Sequence, residues 1–359
     1  MKKNPYHCEG IMKKIIISLL IIIVLVLTIP PLISTLKPND FEVKDVFWDG
    51  EDNEYDGTFS IIMHFTGDVL LAENLDAGRI GGFNEYASRE NSDYFLKNAA
   101  SYFLNDDFTV VNLENVFSDR GLSPAQKPLP AYWFKSKSEN TKILTVSGVE
   151  CVSVANNHTR DYGAEGLSDT ISALENAGIE YGTDSKTVYF EKNGFKTAVI
   201  CCCMWNKDWA NGIIKRIQEA EKQSDFQIVF FHGGKEAEHT PEQWKIDACH
   251  ALVDNGADIV VGAHPHVLQR AENYNGAKII YSLGNFCFGG NRSPENRTAV
   301  YRLTITVNSN DKSFSHSSAI IPFYVYTGNT NNYQPEVIKN VEDAQKVLDY
   351  MKGNRDRPY

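Results

Sequence analysis

Positive charge is scarce in this sequence. Its 359 residues carry 35 Lys and Arg against 46 Asp and Glu, a formal net charge of −11. Proteins that grip nucleic acid need a basic footprint for the phosphate backbone, and this balance excludes that class. Cysteine is present without a framework. Of the seven, Cys201, Cys202 and Cys203 are consecutive in the apolar run Ala198–Met204, and the spacing of Cys8, Cys151, Cys249 and Cys287 matches no zinc knuckle. Free, buried thiols acting as small strand hydrophobes are therefore expected, and nothing nearby predicts an activated thiolate. Ser282 lacks the Gly-x-Ser-x-Gly setting of a nucleophile elbow, which sets a serine hydrolase aside.

Long apolar runs are also missing, with one exception. Ile15–Leu36 carries no charge and reaches the roughly 20 residues that span a bilayer. Lys2, Lys3, Lys13 and Lys14 against Glu9 leave the first fourteen residues at +3, so the remainder carries −14. Lysines on that side place the N-terminus in the cytoplasm and export the rest. A signal peptide shares the basic start and apolar core, but Pro30-Pro31-Leu32-Ile33-Ser34-Thr35 offers no small-x-small cleavage site. The expected order is a cytoplasmic segment 1–14, a single transmembrane helix 15–36, an acidic linker 37–57, an extracellular domain 58–325, and a tail 326–359 with a helix near Val341–Lys352. Met12-Lys13-Lys14 is an alternative start.

From Thr58 onward short apolar runs alternate with helical or loop segments. The runs are 61–65, 109–111, 151–154, 228–231, 259–261 and 279–281, and their near-continuous Val/Ile content is that of strands buried on both faces. A helix is expected over 241–255, with Thr240 as N-cap, Pro241 at the first position, Gln243 closing a capping box and Gly256 after the end. Another is expected over 164–177, before Gly178. Alternation of this kind predicts an α/β fold with its chemistry beyond the carboxyl ends of the strands.

Those ends carry Asp68, Asn112-Leu113-Glu114, Asn156-Asn157-His158, His232, His264-Pro265-His266 and Asn285. Carboxylate oxygen, amide oxygen and imidazole nitrogen are all metal donors. His264 and His266, in extended geometry, would point both rings to one side. Any one of these residues alone reads as a turn former, a helix cap or a packed histidine; ligand types at every strand end read as a site for one or two divalent ions. His64, inside a strand, reads as packed, and His239, His250 and His316 read as structural or surface. Glu236 stands close enough to His232 to reach the rim of the site.

The ordered set Gly67-Asp68-Val69-Leu70, Asn112-Leu113-Glu114, Asn156-Asn157-His158-x-x-Asp161-Tyr162-Gly163, His232-x-Gly234-x-Glu236, Gly262-Ala263-His264-Pro265-His266 and Tyr281-Ser282-Leu283-Gly284-Asn285-Phe286 resembles the bacterial CapA family. These are capsule, or poly-gamma-glutamate, synthesis proteins, similar to calcineurin-like metallophosphoesterases. The resemblance covers residues 59–290. It implies a four-layer α/β/β/α sandwich with metals at the strand ends. By motif order Asp68 would bind a first metal and Glu114 would bridge. Asn157, His232 and His264 would complete a second site, and His266 would return to the first. His158 would protonate a leaving oxygen, oriented by Asp161. Manganese, zinc or iron would suit the donors. Leu70 stands where phosphoesterases have the histidine of Asp-x-His, Glu114 replaces a bridging Asp, and Thr159 replaces the acid after Asn-His. These departures put the occupancy of the first site and phosphoesterase activity in question.

Two functions share these residues. One is a metal-dependent hydrolase acting on a phosphoester or on an amide or ester bond of a capsule polymer. The other is a membrane-tethered accessory subunit that binds or attaches polymer for synthase partners. A −14 domain would repel polyglutamate at long range, so binding would need a metal or a local cationic patch. Arg270, Arg292 and Arg297 could form one, or stand as solvated surface residues.

Overall fold

A computed structural model describes residues 57–75 and 81–359. The expected span Ile15–Leu36, with the segment before it and all of the linker but Gly57, lies outside the described residues, as does Cys8. Among the described residues no helix is long and apolar enough to cross a membrane.

The strands in chain order are β1 (Thr58–Val69), β2 (Glu73–Asn74), β3 (Phe108–Leu113), β4 (Val116–Phe117), β5 (Phe134–Ser136), β6 (Cys151–Ser153), β7 (Glu180–Gly182) and β8 (Val188–Lys192). Then follow β9 (Phe195–Cys203), β10 (Phe226–His232), β11 (Ile259–Ala263), β12 (Leu268–Tyr274), β13 (Ala277–Leu283), β14 (Arg297–Asn308), β15 (Phe314–Tyr324) and β16 (Glu336–Val337). They form a seven-stranded sheet β16-β15-β14-β1-β3-β6-β7, a six-stranded sheet β12-β13-β11-β10-β9-β8, and a small sheet β2-β5-β4. All six expected runs are strands, and β3, β10, β11 and β13 are buried at every residue. Burial on both faces is why they read as unbroken hydrophobic runs.

Three apolar clusters fix the layers. The first takes Phe65 and Val110 from the larger sheet and Val199, Phe230 and Val261 from the smaller, so the sheets face each other. A second joins the larger sheet to Phe83, Phe103, Leu144 and Leu174 on helices, and a third joins the smaller sheet to Ile213, Ile217, Ala248 and Leu252. The chain is thus a mixed α/β fold with helices outside two facing sheets. The last helix, Val341–Met351, contributes Ala344, Val347, Leu348 and Met351 to the cluster between the sheets.

Cys151, Cys201–Cys203, Cys249 and Cys287 are free and buried, as expected. Burial pushes their thiols up, Cys201 to about 11. The helix Gly163–Ala177 ends at Gly178, whose φ of +72° only glycine adopts cheaply. The helix expected over 241–255 is shorter, Gln243–Asp254. Thr240 does not cap it. Glu242 stands at the N-cap in extended geometry and pairs its carboxylate with Lys245 at 3.3 Å, so the first turn is held by an ion pair instead of a capping box.

Candidate metal centre

β1, β3 and β6 run parallel in one sheet, and β9, β10, β11 and β13 run parallel in the other. Their carboxyl ends meet along a seam. Asp68 forms a parallel bridge with Asn285, its N–H donating to Gly284 O at 2.9 Å and its carbonyl accepting from Phe286 N at 2.8 Å. Gly67 makes that approach possible, because a Cβ there would lie 1.7 Å from Gly284 O.

The seam gathers the predicted donors. Asp68, Glu114 and His232 each offer one ligand atom, all within 4.8 Å of one another, and so do Glu236, His264 and His266. His232 Nδ1 lies 3.8 Å from Asp68 Oδ1 and 3.6 Å from Glu114 Oε1, while its Nε2 faces Asn157 Oδ1 at 2.8 Å. The rings of His232 and His264 are 4.5 Å apart at their centroids. His266 Nδ1 sits 3.1 Å from Asp68 Oδ2 and 2.8 Å from Asn285 Oδ1. His266 thus stands beside Asp68, and His232 beside Asn157 and His264 as well as the carboxylates, while Glu236 approaches His264 and His266.

His264 and His266 are not extended. Their φ angles are +98° and +60°, strained values for non-glycine residues. The segment leaves β11 in a turn held by three bonds. His264 N donates to Asp68, Ala237 N donates to Pro265 O at 2.9 Å, and Asn291 Nδ2 donates to His266 O at 2.8 Å. Both rings still face the seam, brought there by the turn rather than by strand alternation.

The buried polar atoms test whether a cation fits. Glu114 Oε2 and His264 Nδ1 are buried without a hydrogen-bond partner, which is costly unless another ligand satisfies them. Burial and the negative charge of Asp68 push the Glu114 carboxyl well above its usual range. Burial pushes the Asp68 carboxyl up too, but the hydrogen bond and charge of His266 hold it well below the ordinary value. Burial and the neighbouring imidazoles lower His232 strongly and His264 to about 3, keeping both neutral and able to ligate. Burial disfavours the charged form of His266 as well, yet Glu114 and Asp68 raise it to about 10. A buried N/O set with two carboxylates, neutral imidazoles and orphaned acceptors fits a divalent cation.

Beside this centre His158 is buried and Asp161 fully so. His158 Nδ1 is 3.0 Å from Asp161 Oδ2. Asp161 also accepts from Phe134 N at 2.7 Å and from Lys127 Nζ, and the Phe134 ring packs on His158 at 4.6 Å. Nε2 is the imidazole nitrogen left for another partner.

Asn112 stood in a strand-end motif without an assigned role, and Trp205 and Lys127 were missed. Asn112 Nδ2 donates to Asp68 Oδ1 at 2.8 Å and Glu114 Oε1 at 3.1 Å, and approaches His232 Nδ1 at 3.1 Å. Its two-residue spacing from Glu114 was the available signal. Trp205 meets His264 edge-on at 4.9 Å, and Lys127 reaches Asp161 from a long loop; neither has a sequence signature. Of the arginines considered for a cationic patch, Arg270 lines a cavity beside the loop 237–241. Arg297 is committed to the carbonyl of Pro294 and the rings of Tyr324 and Tyr359. Of the histidines read as structural, His64 pairs with Asp106 at 2.6 Å and His250 with Glu272 at 2.5 Å.

The profile of the bacterial capsule synthesis protein PGA_cap family matches residues 62–290, from β1 through Asn285. The chain belongs to this family. The chain is similar to the capsule biosynthesis protein CapA of Bacillus anthracis, 29% identical over 270 residues that cover 68% of this chain and 64% of that protein. The PGA biosynthesis protein CapA of Bacillus subtilis is 30% identical over 268 residues, covering 67% of this chain and 70% of that one. A protein of Mycobacterium tuberculosis named as a probable polyglutamine synthesis accessory protein is 24% identical over 237 residues, 56% of this chain and 62% of its own length. The chain thus spans just under two thirds of the Bacillus anthracis relative. Among solved structures, a phosphatase from Mycoplasma pneumoniae superposes with a TM-score of 0.42 at 18% identity, covering 74% of this chain and 94% of that one.

Proposed function

We propose that this capsule-family chain works on the outer face of the membrane, anchored by residues 15–36, and that its seam is a metal-dependent hydrolytic centre acting on a capsule polymer or a phosphoester. The observation that carries the reading is the convergence of Asp68, Glu114 and His232 within 4.8 Å, with Glu114 Oε2 buried and unsatisfied. These three would hold the cation, with Asn157, His264 and His266 completing its shell. A divalent ion supplies Lewis acidity and acidifies water.

The protein's own residues would do the rest. Asn112 fixes the orientation of both carboxylates and of His232. Asp161 accepts from Nδ1 of His158, sets the tautomer and stabilises the imidazolium, so Nε2 can pass a proton to a leaving oxygen. Lys127 and the Phe134 N–H hold Asp161 in that role. The names of the Bacillus relatives support a capsule or poly-gamma-glutamate substrate, with synthase subunits as partners. Leu70 in place of a histidine ligand, and the accessory role in the name of the mycobacterial relative, favour the second reading of a non-catalytic subunit.

Metal analysis of the full-length chain beside His232→Ala and His158→Gln separates the two. The parent is expected to bind stoichiometric metal and His232→Ala to lose it. His158→Gln is expected to keep the metal and lose turnover of a phosphodiester or of poly-gamma-glutamate by at least ~100-fold. Metal without turnover in the parent supports the accessory subunit. A folded parent that binds no metal overturns the metal centre.

A further inference from the structure

A cavity of about 360 Å³ lies beside the seam, between β12 and the segment after the last helix. Arg270 of β12 lines it together with Arg355 and Arg357. The size is that of a small-ligand pocket. Its other wall is the loop that includes Ala237, Glu238 and His239. The same loop supplies Glu236 to the donor group of His264 and His266, and Ala237 N is bonded to Pro265 O. Pocket and centre therefore share one short stretch of chain.

The charges in this pocket are unbalanced in a specific way. Arg270 Nε and His239 Nδ1 are buried with no hydrogen-bond partner. Arg355 donates to the backbone oxygens of Arg357 and Tyr359. Of the two acids in the wall, Glu238 is held by Lys235 at 2.6 Å, which leaves Asp356. A guanidinium is a planar fork that matches a carboxylate with two parallel bonds. Three of them in one concavity, on a chain with a net charge of −11, form a local attraction where the long-range field repels anions.

We propose that this pocket is an anion subsite that seats side-chain carboxylates of a polyanionic polymer and presents the chain to the adjoining seam. The inference rests on the capsule-polymer reading above for its ligand, but not on turnover. Phosphate shares the chemistry, so the test compares the two.

Fluorescence anisotropy of labelled poly-gamma-glutamate, titrated with the full-length chain, reads the binding directly. Arg357→Gln, at an exposed position, and Arg270→Gln are each expected to weaken binding roughly tenfold, the worth of a charge-assisted pair. Arg89→Gln, on the helix Phe83–Arg89 where Arg89 pairs with Glu85, is expected to change nothing. Thermal melts and metal content are read on the same samples. Arginine-dependent binding supports the subsite even if the parent shows no metal or turnover, in which case only the hydrolytic reading fails. Polymer binding that is indifferent to both substitutions, or a parent that binds inorganic phosphate there and not the polymer, overturns it.

Discussion

Glu150 carries a charge in the wrong place. Burial, with Asp106 nearby, raises its carboxyl to about 7, although its Oε2 accepts from Thr109 N at 2.8 Å. The unfolded chain ionises near 4.5, so between pH 4.5 and 7 the folded state holds the extra proton and stability falls as pH rises. Above about 7 the penalty is complete. Glu150→Gln keeps an acceptor for Thr109 and removes that penalty. Its stability relative to the parent is expected to be unchanged near pH 4 and higher by about 1 kcal/mol at pH 8, allowing for partial exposure, as read by denaturant melts across pH. A gain independent of pH would mean that packing, not ionisation, is at work. At this scale the donors were legible because ligand chemistry is written in residue type, whereas Lys127 and Trp205 were not, since each acts through a contact that no local spacing announces.

Strands were legible where both faces are covered, because such strands cannot alternate. β2, β4 and β5 were not: two or three residues hold no period. The long hairpin β14–β15 escaped for a related reason, its outer residues mixing polar and apolar side chains. The His264–His266 segment was misjudged because His-x-His spacing says nothing about the backbone between the rings, and here tertiary bonds to Asp68, Ala237 and Asn291 impose positive φ. At Gly67, β1 crosses the strand-end turn after β13 with no room for a Cβ. Gly67→Ala would set a methyl against Gly284 O and force the seam apart. It is expected to cost about 3 kcal/mol in a chemical melt, with loss of metal binding alongside. A variant as stable as the parent would show that the seam can yield.

The whole molecule depends on its end. Leu348 and Val347 are buried in the cluster between the sheets, so the helix Val341–Met351 is part of the core. Leu348→Ala is expected to lower stability by about 2–4 kcal/mol while unfolding remains a single transition. Two transitions would show that the helix Val341–Met351 melts on its own. The seam also bears on how the layers stay together. Asp68 and Glu114 come from one sheet and His232, His264 and His266 from the other, and the bond from His264 to Asp68 joins positions 196 residues apart. A cation seated among them would act as a rivet through both halves of the sandwich, closing a loop of that length in the manner of a disulfide. Amide protection at the carboxyl ends of strands in both sheets would then rise and fall together with metal occupancy.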